Sequence, residues 1–144
     1  MGKKRIIRKA GGSVDQGLKS RSLSRGARRK VEKAVLYVQA TFNNTLVLLA
    51  DTSGNTLAWS SSGALGFAGA KKGTPFAAAK VGELIADKAI QAGVKEAEVV
   101  IRGVGAGRES ALRSFAGKGI TITRIADDTP VAHNGPRARK ARRI

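Results

Sequence analysis

The stretch from Glu98 to Leu112, EVVIRGVGAGRESAL, is the part of the sequence whose residue types and spacing most clearly suggest a binding site. Its pattern predicts a buried strand, a turn with glycines at 103, 105 and 107, and then a helix. Glycine reaches backbone angles closed to other residues, and the start of a helix presents unpaired N–H groups. This combination favours the binding of an anion. The anion could be a small nucleotide or a nucleic-acid backbone, or the glycines could serve only to form a tight corner.

A dinucleotide site is the first alternative, because strand, glycine turn and helix occur in the order of the known fingerprint and Asp127 follows about 20 residues later. The third fingerprint position should hold Gly or Ala and instead holds Arg108. The following helix is also short. Nucleotide binding through residues 103–108 therefore stays an alternative, and we favour contact with the phosphates of a larger polyanion.

The acidic residues give little support for catalysis. We expect most of them on helix faces or strand edges, where they balance charge. A two-metal nuclease needs several convergent carboxylates around paired ions. Asp51 and Asp127 could belong to such a cluster, so a ribonuclease-H-like nuclease using magnesium is the alternative enzyme. We predict instead a protein that is not an enzyme and has no cofactor.

His133 is the only histidine, and the sequence has no cysteine. A lone histidine beside Asn134-Gly135, a dipeptide typical of turns, favours a polar turn residue over a metal ligand. We therefore predict no metal site. The lack of cysteine excludes disulfides and fits a reducing, cytoplasmic location.

Charge is the outlying property of the chain. Lys and Arg number 27 against 10 Asp and Glu, a net charge of +17. Such an excess predicts a polyanionic partner. Residues 1–34 hold 12 of the basic residues, and residues 127–144 hold five. Aromatic residues make up 4%, which argues against a base-stacking platform and favours Arg and Lys contacts to phosphate.

No apolar run approaches the roughly 20 residues that span a bilayer, and the basic start lacks the apolar core of a secretory signal. We expect no membrane partner and no small-molecule substrate.

The first half of the central sequence predicts an antiparallel meander. Residues 35–42 and 45–51 are rich in β-branched and apolar residues, with Asn43-Asn44 between them as a turn tolerant of positive φ. A further turn precedes a third strand at residues 56–61. Residues 62–74 predict a glycine-rich loop with a basic tip and an exposed Phe67.

The second half predicts two helical crossovers. Thr74 and Pro75 are typical of a helix start, and Gly93 ends that helix. A strand at 97–102, a helix at 108–116 and a strand at 120–125 follow. The order β-β-β-α-β-α-β predicts a mixed α/β sheet over residues 35–126, with a basic N-terminal arm (1–34) and a basic C-terminal tail (127–144).

Several segments together resemble one family. These are ATFNNTLVLLAD, the Gly-Asn turn followed by Trp59, GFAGAKKGTPFAAAK, IRGVGAGRESALRSF and DDTPVAHNG. In this order and spacing, from about residue 35 to 135, they resemble the small ribosomal subunit protein S-eleven family, its bacterial members in particular. Five motifs in register are far more specific than any one of them.

The resemblance implies a ribonuclease-H-like fold without nuclease activity, and a structural role on the 30S platform. It further implies binding to 16S-type ribosomal RNA near the mRNA exit region, beside other small-subunit proteins. By position it implies the following RNA-binding residues: Asn43, Asn44, Phe67, Lys71, Lys72, Thr74, Pro75, Arg102, Gly103, Gly105, Gly107, Arg108, His133, Asn134, Gly135, Arg137, Arg139, Lys140, Arg142 and Arg143.

Two expectations about single residues follow. We expect Gly105 to have a positive φ, so that valine there would be the most harmful single substitution. We expect Arg108 to contact RNA, so that alanine there would weaken binding without unfolding the core.

Overall fold

Alternating apolar residues in the strands build a five-stranded sheet with two helices on one face. The computed structural model describes residues 30–141. The elements are β1 (Lys33–Ala40), β2 (Thr45–Asp51), β3 (Thr56–Ser61), a 3-10 helix (Gly69–Gly73), α1 (Pro75–Gln91), β4 (Glu96–Arg102), α2 (Arg108–Ala116) and β5 (Thr121–Asp127).

The sheet is mixed, as predicted. Its strand order is β3-β2-β1-β4-β5. β1 and β2 pair antiparallel, and so do β2 and β3. β4 runs parallel to β1, and β5 runs parallel to β4. The two parallel strands are reached through α1 and α2, since a parallel connection needs a crossover.

The core lies between the sheet and the two helices. Every second residue of β1, including Leu36 and Val38, is buried, and Val81 and Ile85 of α1 are fully buried opposite them. Burying such an aliphatic side chain contributes about 1.5–3 kcal/mol. This alternation fixes the strand register, because a slip by one residue would turn the apolar set to solvent.

Local signals set the ends of α1. The Thr74 hydroxyl accepts a hydrogen bond from the Ala77 amide at 3.3 Å, and Pro75 is the first helical residue. At the other end Gly93 has φ +84°, and its amide donates to the Ile90 carbonyl at 2.9 Å. The predicted start and stop of this helix are confirmed.

The face of the sheet opposite the helices carries an apolar row across all five strands. Trp59 is paired with Leu48, Leu48 with Tyr37, Tyr37 with Val100, and Val100 with Ala126. Trp59 is 57% exposed and Tyr37 is 42% exposed. No helix within residues 30–141 covers this row.

The predicted bounds of β2, β3 and α2 are confirmed, whereas β1 begins and ends two residues earlier than expected.

Asn43 and Asn44 were expected to tolerate a positive φ, but Asn134 alone among the described non-glycine residues has one. The connection between β1 and β2 is instead closed by Thr41, whose hydroxyl donates to the Asn44 carbonyl at 3.0 Å. A left-handed residue is not needed there.

The predicted exposure of Phe67 is wrong. Its side chain is buried, and its ring meets that of Phe76 edge to face, with centroids 6.1 Å apart. Gly66 and Gly69 have positive φ values and turn the segment back onto the core. Part of the predicted loop is also a short 3-10 helix.

The crossing of α1 and α2 depends on Gly82. A Cβ at this position would overlap the Ser114 hydroxyl and the Ala111 carbonyl of α2. We expect Gly82→Ala to lower the free energy of unfolding by about 1–3 kcal/mol despite its better helix propensity, because overpacking outweighs propensity here. Urea denaturation measures this. Gly63→Ala, where a Cβ meets only ordinary contacts, is the control and should be near neutral.

Candidate nucleic-acid interface

One end of the sheet collects nearly all the segments predicted to bind RNA. β1, β4 and β5 are parallel and all finish there, while both helices begin there. We call this the loop end and define it by residues 41–44, 62–74, 102–107 and 128–141. Parallel topology therefore brings together stretches that are far apart in the sequence.

The glycines of the 103–107 turn serve close packing of backbone on backbone. A Cβ on Gly103 would overlap the Ala40 carbonyl oxygen, and one on Gly105 would overlap that of Thr41. A Cβ on Gly107 would overlap the Thr45 hydroxyl. The turn thus lies directly on the connection between β1 and β2, and only glycine permits that separation.

Two amides of this turn are already used within the protein. The Gly105 amide donates to the Ala40 carbonyl at 2.9 Å, and the Gly103 amide donates to the Thr129 hydroxyl at 3.2 Å. Only Gly103 of the three turn glycines has a positive φ, +98°, so the conformation expected for Gly105 is wrong. The structure favours the third interpretation, a tight corner, over an anion cradle.

Arg108, the first residue of α2, is held by three groups of the protein. Its guanidinium donates to the Gly103 carbonyl and to the Thr129 hydroxyl, the latter at 3.1 Å, and it forms an ion pair with Asp127. Hydrogen bonds from Thr129, and then from Arg108, lower the pKa of Asp127 to about 2. Arg108 thus joins the turn to the end of β5, and its expected contact with RNA stays a prediction.

Charge is segregated between the two ends of the sheet. At the end opposite the loops, lysines are paired with acids: Lys33 with Glu96 at 3.2 Å, Lys95 with Glu32 at 3.0 Å. Lys118 is likewise 3.0 Å from Asp87.

At the loop end, the structure records no ion pair for Lys71, Lys72 or Arg102 within residues 30–141. Residues 131–141, including His133, Arg137, Arg139 and Lys140, are exposed and have no helix or strand. The loop end is the cation-rich surface of the described chain.

The predicted site residues fall into three groups. Those with a packing or capping role are Phe67, Thr74, Pro75, Gly103, Gly105, Gly107 and Arg108. Those on the surface of the loop end are Asn43, Asn44, Lys71, Lys72, Arg102, His133, Asn134, Gly135, Arg137, Arg139 and Lys140. Arg142 and Arg143 lie outside the described residues, as do residues 1–29 of the predicted N-terminal arm.

Sequence reasoning missed exposed apolar side chains at the loop end. Phe42 is 78% exposed and Val104 is 61% exposed. Phe42 was predicted as the last residue of the first strand, whereas β1 ends at Ala40; its position next to the Asn43-Asn44 turn was the available signal.

The nuclease alternative fails on geometry. Asp51 is paired with Ala34 at the start of β1, whereas Asp127 is paired with Ile101 at the end of β4. Three strand spacings and a four-residue offset along the strands separate the two by about 19 Å. Asp51 accepts from the Ser53 and Asn55 amides and so closes the turn before β3. Residues 30–141 hold no group of three or more acidic, His or Cys residues able to bind a metal.

Within residues 30–141, the helices are too short or too polar to cross a bilayer.

A mixed sheet with helices on one face and a cation-rich loop end is the architecture expected of a nucleic-acid-binding α/β protein. A family model of ribosomal protein S11 matches residues 34–143, and the chain belongs to this family. It is a structural, rRNA-binding protein of the small ribosomal subunit, part of a ribonucleoprotein that acts in translation. The family is one of structural, non-enzymatic proteins.

Gly105 tests the packing at the loop end. We expect Gly105→Val to lower the free energy of unfolding by about 1–3 kcal/mol or more, because its side chain must displace the backbone at Thr41. Urea denaturation measures the loss. Gly63→Val, an equal change at an open position of the same end, should cost much less; equal losses would contradict the packing explanation.

The lowered pKa of Asp127 predicts that the stability of the protein depends on pH. Its pKa is depressed from 3.8 to about 2, so its contribution to stability is present above pH of about 4 and is lost as the pH falls towards 2. We expect the wild type to melt above Asp127→Asn at pH 6 and the difference to shrink between pH 4 and 2. Asp128→Asn removes the same charge without the Arg108 contact, and its difference from wild type should stay small throughout.

Proposed function

We propose that the protein binds 16S-type ribosomal RNA through the loop end. The observation that carries this proposal is the distribution of ion pairs: within residues 30–141 no acidic partner is recorded for Lys71, Lys72 or Arg102 at the loop end, whereas Lys33, Lys95 and Lys118 at the opposite end are each paired with an acid. Phosphates supply the missing negative charge. Lys71, Lys72 and Arg102 contact the RNA from the folded core, and the basic tail adds contacts along its length.

Recognition is by shape and phosphate position. The loops are held together by backbone packing, so their cations have fixed relative positions that match a folded RNA. The tail has exposed residues and no regular structure, so it can follow the RNA surface and become ordered on binding. Phe42 and Val104 add apolar contact to bases or riboses at the centre of the loop end.

We further propose the finer placement that the family likeness implies. The strand order β3-β2-β1-β4-β5 with both helices on one face supports a ribonuclease-H-like fold. The protein then acts on the platform of the cytoplasmic small subunit, near the mRNA exit region and beside neighbouring ribosomal proteins. It has no catalytic step.

Salt dependence of RNA binding tests the mechanism. If about six basic side chains contact phosphate, log K should fall against log salt with a slope of about −4 to −5, at roughly −0.7 to −0.9 per contact. The measurement is a filter or fluorescence titration with a bacterial 16S rRNA transcript at several salt concentrations. A slope near zero would contradict the proposal.

Matched double variants locate the surface. Lys71→Gln with Lys72→Gln should make the slope shallower by about 1.5, since two contacts are lost. Lys33→Gln with Lys95→Gln removes the same charge at the opposite end and should change the slope little.

Co-migration of the chain with small subunits on a sucrose gradient tests the placement, and sedimentation apart from them would refute it.

A further inference from the structure

We propose that Thr129 and Arg108 are positioning residues that set the direction of the basic tail and thereby determine how much the tail contributes to RNA affinity. This inference rests on the proposed RNA binding at the loop end. It assigns to both residues a role without direct RNA contact. The proposal stands on the hydrogen bonds that surround the Thr129 hydroxyl.

The Thr129 hydroxyl uses its full hydrogen-bonding capacity. It donates to the Asp127 carboxylate, and it accepts from the Gly103 amide at 3.2 Å and from the Arg108 guanidinium at 3.1 Å. A hydroxyl has one donor and two acceptor lone pairs. The Thr129 amide also donates to Asp127 at 3.0 Å. One side chain therefore joins β5, the turn after β4 and the first residue of α2.

These contacts are the last ones before residues 130–141 of the tail. The Asp128 amide donates to the Ile101 carbonyl at 2.9 Å and continues the pairing with β4. The structure records no hydrogen bond from residues 130–141 to the rest of the described chain. Pro130 follows at once, and its ring restricts φ. The direction in which the tail leaves the fold is thus fixed at Thr129.

Arg108 is poorly placed to bind phosphate itself. Its side chain is 28% exposed, and its ion pair with Asp127 offsets its charge. Anchoring the base of the tail limits the conformations that must be given up on binding, so the same cations bind more tightly. The affinity of residues 130–141 for RNA therefore depends on a network to which they contribute no charge.

A substitution of Thr129 in the full-length chain distinguishes a role in positioning the tail from a direct contact with RNA. Thr129→Val removes the hydroxyl and leaves the charge of the protein unchanged. With a bacterial 16S rRNA transcript, we expect the slope of log K against log salt to become shallower by about 2, as if Arg137, Arg139 and Lys140 no longer released counterions at roughly 0.7–0.9 each. Thr129→Ser keeps the hydroxyl and should restore the wild-type slope.

Thr123→Val is the matched control. It is the same change on β5, where the hydroxyl contacts only the Ala97 carbonyl at 3.4 Å, and we expect no change in slope. Urea denaturation and circular dichroism of each variant show whether the core stays folded. If Thr129→Val fails to fold, Asp127→Asn tests the same network by the same measurement.

A double-mutant cycle completes the test. A tail variant with Arg137, Arg139 and Lys140 changed to Gln should bind more weakly, and adding Thr129→Val or Arg108→Ala to it should change binding little further. An equal loss in both backgrounds would overturn the proposal, as would a wild-type slope in a folded Thr129→Val.

A wild-type chain that binds no RNA would instead refute the proposed function. In that case, faster hydrogen exchange of the Gly103 amide in Thr129→Val would support the network of hydrogen bonds around Thr129. Unchanged exchange would overturn it.

Discussion

The loop end depends on one close approach, in which the backbone of the 103–107 turn lies on the backbone at residues 40–41. Gly103 and Gly105 allow it because any side chain there would overlap a carbonyl oxygen. The contact joins the ends of the parallel strands β1 and β4. It also places α2 so that its first residue, Arg108, reaches the end of β5. The relative positions of the loops at this end follow from this one seam.

Charge is organised around the same end. The sequence has +17 in excess, yet lysines remote from the loop end are offset by nearby acids. Surface pairs of this kind contribute little to stability. Their effect is instead to leave Lys71, Lys72 and Arg102 of the loop end among the cations without a recorded acidic partner in residues 30–141. The folded core supplies a few cations at this end and the tail supplies more on an extended segment, so the proposed interface combines a rigid element with an adaptable one.

Much of the fold could be predicted because its signals are local. Thr74, Pro75 and Gly93 set the ends of α1 within the sequence that forms it, and the alternation in residues 45–51 and 56–61 identifies two strands. The structure brings the predicted segments together at the loop end, but the structural roles of single residues there could not be predicted. Gly105 is required by Thr41, 64 positions earlier, and Arg108 by Asp127 and Thr129, so no neighbouring residue shows their function. Phe67 was misjudged because burial in a glycine-rich segment depends on how the chain folds back.

The seam also has a consequence for the timing of synthesis. Its partners come from residues 40–45, 103–108 and 127–129, so the contacts close over long stretches of chain and form late. A chain is made from its N-terminus, and the meander of β1 to β3 is available long before β5. The arrangement of the loop end is therefore incomplete until residue 129 has been translated. A chain interrupted before residue 127 carries basic residues but lacks the contacts that hold the loops in place.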